Sequence, residues 1–120
     1  MSEPIIGLTC GLDYEAETCW LRYYYQEVVA DIGGVPLILP PMANDSIREK
    51  MFSLIDGVIF TGGSDVDPHF FGQLPQVGIG KIDPARDSWE IWLAQKCWQQ
   101  KKPMLGICRG MQVMNICLGG

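Results

Sequence analysis

Short apolar runs alternate along the chain with longer stretches in which apolar side chains recur every three or four positions, the pattern of buried strands followed by helices. Ile5 to Thr9 (IIGLT), bounded by Pro4 and Gly11, reads as a first buried strand. Leu21, Tyr24, Tyr25, Val28, Val29 and Ile32 then form one helical stripe, with Arg22, Gln26 and Glu27 opposite, and Gly33-Gly34 ends that helix. Val35 to Leu39 is a second buried strand, closed by Pro40-Pro41 because proline continues neither a ladder nor a helix. Ser46 and Glu49 stand as a capping box before a helix whose core stripe is Ile47, Met51, Leu54 and Ile55.

Gly57 to Thr61 (GVIFT) is a third strand, and it runs into Gly62-Gly63 and a loop that reaches Arg86. A loop of that length inside a compact domain is a natural place for a binding site. Asp87 caps a third helix with Trp89, Trp92, Leu93 and Cys97 on its inner face, ended by Lys101-Lys102 and Pro103. Met104 to Ile107 is the fourth strand, followed by a helix carrying Met111, Met114 and Leu118. Alternating strands and helices predict an α/β fold, a parallel sheet with helices on both faces, in which ligands bind beyond the carboxyl ends of the strands. Residues 1–120 read as part of one domain, without repeat, linker or low-complexity segment.

Composition narrows the function. Lys and Arg number 9 against 14 Asp and Glu, a formal net charge of −5, and no basic patch exists to neutralise nucleic-acid phosphates. No apolar run approaches the roughly 18 residues of a membrane helix, and the start of the chain lacks a signal-peptide pattern, so a cytoplasmic location is expected. Cys10, Cys19, Cys97, Cys108 and Cys117 form an odd set without a C-x-x-C pair, which argues against a disulfide framework and a structural zinc site. No cofactor is called for.

The chemistry concentrates at Gly106-Ile107-Cys108-Arg109-Gly110. G-x-C-x-G between an apolar strand and a helix is the cysteine form of the nucleophile elbow, whose small residues let the backbone turn sharply and lift the sulfur to the top of the sheet. The free amides of the following helix favour a thiolate there. The N–H of Arg109 is placed as one oxyanion donor, and Gly62 or Gly63 is the candidate for the second. Asp65, Asp67 and His69 form a weaker, competing metal-like cluster, and His69 is the single histidine. Arg86 and Asp87 read as a helix-start pair, and Trp89, Trp92 and Trp98 as packing.

The stretches YYYQEVVADIGGVPLILPP, IFTGGSDVDP, DPARDSWE and GICRGMQVMNICLGG resemble, in order and spacing, the class I glutamine amidotransferase-like family, most closely its gamma-glutamyl-gamma-aminobutyrate hydrolase branch. The resemblance implies a flavodoxin-like sheet and a cysteine hydrolase that cleaves a gamma-glutamyl amide of a small molecule through a thioester. It implies Cys108 as nucleophile, Arg109 and a glycine of Gly62-Gly63 as oxyanion donors, and Gln112 as a contact to the glutamyl group. Phe71-Gly72 stands where a Tyr-Gly pair is common in the family. Family members supply the triad's histidine and acid from a later segment, to which nothing in this chain corresponds. The expectation is therefore an amino-terminal part of the domain, incomplete for catalysis alone and prone to self-association or to pairing with a complementary chain. A fragment acting only through such association is the alternative to the hydrolase.

Overall fold

A computed structural model describes residues 2–63 and 83–119. Its strands are β1 (Ile5–Thr9), β2 (Gly11–Asp13), β3 (Thr18–Trp20), β4 (Val35–Leu39), β5 (Gly57–Phe60) and β6 (Met104–Gly106). Its helices are α1 (Tyr24–Asp31), α2 (Asp45–Leu54), α3 (Pro84–Gln100) and α4 (Arg109–Cys117). Four strands form one parallel sheet in the order β4-β1-β5-β6, with Gly7 opposite Leu37 and Val58, and Ile59 opposite Leu105. Strand alternation divides the core into two layers. Ile6, Leu8 and Ile59 pack with Tyr25 and Val29 of α1, whereas Val58 and Phe60 join Phe52, Trp89, Leu93, Cys97 and Val113 of the other three helices. The predicted α/β fold is thus present, consistent with the flavodoxin-like class I amidotransferase arrangement.

Several local expectations are corrected. Residues 11–20 form a β2-β3 hairpin beside the sheet, with Leu12 opposite Cys19. The capping box at Ser46 is not used: Asn44 Oδ1 accepts from Ile47 N at 3.0 Å and starts α2 at Asp45, two residues earlier than a Ser46 cap would. Helix α3 begins at Pro84, not Asp87, because Asp83 Oδ1 accepts from Arg86 N at 3.2 Å and proline suits the first turn. The apolar stripes also bury less than their periodicity implies. Tyr25 and Val29 of α1 are buried, but Ile32 is 80% exposed and Tyr24 and Val28 are exposed, since an eight-residue helix meets the sheet through one i, i+4 pair. In α2 the inner positions are Arg48 and Phe52, followed by Ile55, and Ile47 and Leu54 are exposed. Met111 of α4 and Leu118 just past its end likewise face outward, as does Trp98 of α3, while Trp92 stacks on the buried Trp89 at 5.7 Å. Strand β4 lies at the end of the described sheet, which leaves Val35 and Ile38 exposed.

Candidate active site

Cys108 occupies the turn between β6 and α4. Its backbone sits at φ 53°, ψ −108°, a left-handed conformation that costs an L-residue on the order of 1–3 kcal/mol and that persists only where surrounding structure imposes it. The flanking glycines show what imposes it. A Cβ on Gly106 would lie 2.6 Å from the carbonyl carbon and oxygen of Gly110, and one on Gly110 would lie 2.1 Å from the carbonyl oxygen of Phe60. The start of α4 is therefore drawn against the end of β5, with Ile107 N donating to Phe60 O at 3.0 Å. The expected elbow is formed, and its thiol is exposed at the carboxyl end of the sheet.

A hollow of about 340 Å³ opens there, lined by Trp20, Leu21, Arg22, Tyr24, Tyr25, Gly62, Gly63 and Cys108. The hairpin and the start of α1, which carried no chemical signal in the sequence, supply most of its wall. The Tyr25 hydroxyl accepts from Gly62 N at 3.0 Å. Its neighbour Tyr24 has a phenol pushed up chiefly by a hydrogen bond to Tyr25, then by burial and the Tyr25 charge, with Arg22 acting in the opposite sense. Gly62 lies next to Cys108, since a Cβ placed on it would stand 3.9 Å from Cys108 Cβ. Gly63 has φ +151° and no room for a side chain, because a Cβ would fall 2.2 Å from Arg86 Nη1.

Beneath the two glycines lies a fully buried ionic cluster. Arg86 Nη2 donates to Thr61 O, Thr61 Oγ1 and Gly62 O, each at 3.0 Å, while Arg86 Nε is paired with Glu90 Oε2. Glu90 Oε1 accepts from Arg109 Nη1 at 3.0 Å, and Arg109 Nη2 is paired with Asp87 Oδ1. Burial pushes the Glu90 carboxyl up, against the pull of the Arg109 and Arg86 guanidiniums. Arg86 and Asp87 do stand at the start of α3, but both are buried and both tie that helix to the site. Sequence reasoning missed Glu90, although its i, i+4 spacing from Arg86 was visible. It also missed Asp83, whose carboxylate accepts from Leu12 N at 3.1 Å and from the Tyr14 hydroxyl at 2.7 Å while capping α3.

Among the other candidates, Arg109 places its backbone N–H at the start of α4 beside Cys108. Gln112 is half-buried one turn further along that helix and is not part of the described lining. Asp65, Asp67, His69 and the Phe71-Gly72 pair lie outside the described residues. A larger hollow of about 590 Å³ lies at the amino-terminal end of β6, among Cys97, Trp98, Lys101, Lys102, Pro103, Met104 and Met114. It shares no lining residue with the hollow at Cys108, and its one thiol, Cys97, is buried. No helix among the described residues is long and apolar enough to cross a membrane.

A family model and curated relatives agree on what the chain is similar to. The model of the family described as Peptidase C26 matches residues 4–120. A Mycobacterium tuberculosis protein named as a candidate glutamine amidotransferase is 38% identical over 128 residues, covering 99% of this chain and 41% of that protein. The gamma-glutamyl-gamma-aminobutyrate hydrolase of Escherichia coli O157:H7 is 30% identical over 124 residues, covering 100% of this chain and 48% of the enzyme. The chain thus spans less than half the length of these two relatives. Among solved structures, a hydroxyethylthiazole kinase from Pyrococcus horikoshii matches 97% of this chain and 37% of its own with a TM-score of 0.50 at 12% identity, a likeness of fold alone.

Proposed function

Because the chain belongs to the Peptidase C26 family, we propose that it carries the nucleophile and oxyanion donors of a hydrolase that cleaves the gamma-glutamyl amide bond of a small molecule. The observation that carries this reading is the strained Cys108 elbow opening into a hollow shared with Gly62 and Gly63. The Cys108 thiolate attacks the gamma-carbonyl carbon, and the carbonyl electrons move onto oxygen. That oxyanion is held by the N–H of Arg109 and by an N–H of the Gly62-Gly63 turn. Collapse breaks the C–N bond, the amine leaves with a proton, and water then hydrolyses the thioester to release glutamate and the free thiol. Gln112 is proposed to contact the glutamyl group, as the family resemblance implies. The resemblance assigns proton transfer, worth roughly 10²–10⁴ in rate, to a histidine from the part of the relatives that this chain does not span.

Of the two glycines, Gly63 fits the donor role better. The peptide planes on either side of Gly62 turn their carbonyls toward Arg86, so their N–H groups point the other way. The first of these, on Gly62, is already held by Tyr25, and the second is that of Gly63. The test is amine release from gamma-glutamyl-4-aminobutyrate and from glutamine by the full-length protein. Cys108→Ala should abolish release, and release that survives the substitution would refute the mechanism.

A further inference from the structure

We infer that Arg86 and Glu90 are positioning residues that set the oxyanion hole, Glu90 acting as the bridge between its two halves. The inference rests on the hydrolase reading and adds to it groups that never touch substrate. One half of the hole is the Gly62-Gly63 turn, whose carbonyl orientation is fixed by Arg86 Nη2 through Thr61 O and Gly62 O, both at 3.0 Å. The other half is the first turn of α4, which Arg109 anchors through its own side chain to Glu90 Oε1 at 3.0 Å and to Asp87. The two oxygens of the single Glu90 carboxylate serve one guanidinium each. The separation of the two donors is therefore defined by one buried carboxylate, and a flip of the Gly62-Gly63 peptide requires Arg86 to release the Gly62 carbonyl.

Stability alone does not account for this cluster. Four ionic side chains are almost completely removed from water, which apolar packing of equal volume commonly matches or exceeds in stability. The cluster is also imperfectly satisfied, because Arg86 Nη1 and Arg109 Nε are buried with no hydrogen-bond partner among the described residues. Unsatisfied donors are costly in a structural core and are better explained by a requirement for geometry. The placement agrees, since Arg86 Nη1 lies directly under Gly63 and the cluster fills the space between β5, α3 and α4.

The test uses 5-oxopentanoate, an aldehyde whose thiohemiacetal with Cys108 puts an oxygen where the oxyanion forms, together with iodoacetamide, which reads thiol access and needs no oxyanion hole. Both probes are applied to the full-length protein and to its Glu90→Gln and Arg86→Lys variants. Glu90→Gln keeps the size of the side chain, so it remains informative where Arg86→Lys fails to fold. The expected result is aldehyde affinity weakened at least tenfold, toward the roughly 10²–10³ lost with one oxyanion donor, while Cys108 alkylation stays within twofold of wild type. Unchanged aldehyde affinity in a folded variant would overturn the positioning role, as would alkylation falling in step with it, which marks general disruption. A wild-type protein whose Cys108 forms no adduct with the aldehyde would instead remove the hydrolase reading, and this inference with it.

Discussion

At the scale of single residues, the site is made by backbone positions that most side chains cannot occupy. Cys108 holds φ 53° against its own preference, so Cys108→Gly should be more stable than Cys108→Ala by about 1 kcal/mol after the entropy cost of glycine, as measured by urea unfolding. Gly110→Ala drives a Cβ into the Phe60 carbonyl and should cost about 1–3 kcal/mol, with loss of the elbow geometry. The remaining thiols provide a contrast. Burial, followed by the neighbouring Cys19, pushes the Cys10 thiol up to about 12, and burial pushes Cys97 up to about 11. In the native protein at pH 8, iodoacetamide should therefore modify the exposed Cys108 and Cys19 and leave Cys10 and Cys97 intact, which peptide mapping would show. Both buried thiols have folded values above the ordinary 9.0. Unfolded thiols thus ionise first, and stability should decline as pH rises from about 9 toward 11–12.

Secondary-structure elements were legible where one physical signal dominated. β1 and β4 match their apolar runs, and the G-x-C-x-G turn lies between β6 and α4 as its glycines require. The hairpin of residues 11–20 was not legible, because GLD and TCW are three-residue strands without alternation, held by contacts distant in sequence. Asp83 makes those contacts. It ties Leu12 and Tyr14 of the hairpin to the start of α3, a link across some seventy residues that no local pattern discloses. Asp83→Ala removes a helix cap and two tertiary hydrogen bonds together, so it should destabilise by about 2–4 kcal/mol and loosen the Trp20 wall of the site. Asp83→Asn, which keeps the capping oxygen, should recover part of that loss. The helix stripes were right in period and wrong in burial, since periodicity reports which residues share a face but not how much of that face finds a partner.

At the scale of the whole molecule, two features stand apart from the ordinary core. The first is the neutral four-charge cluster that joins the end of β5 to α3 and α4. Arg109→Met leaves Asp87 and Glu90 facing one guanidinium, and thermal unfolding should report a loss of about 3–5 kcal/mol. The second is the apolar surface around β6, where Leu105, Met111 and Leu118 are more than half exposed. Expressed as these 120 residues alone, the chain should elute above its 13.4 kDa monomer mass in size-exclusion chromatography, because among the described residues β6 ends the sheet beside exposed apolar side chains, a surface that favours association. The central claim is that Cys108 is the nucleophile for a glutamyl carbonyl. It is tested most directly by treating the full-length protein with 6-diazo-5-oxonorleucine, a glutamine-shaped electrophile, and locating the adduct by peptide mass spectrometry. One adduct is expected, on Cys108, slowed by excess glutamine and absent from Cys108→Ala; equal labelling of the exposed Cys19, or labelling that glutamine does not slow, would refute a nucleophilic Cys108.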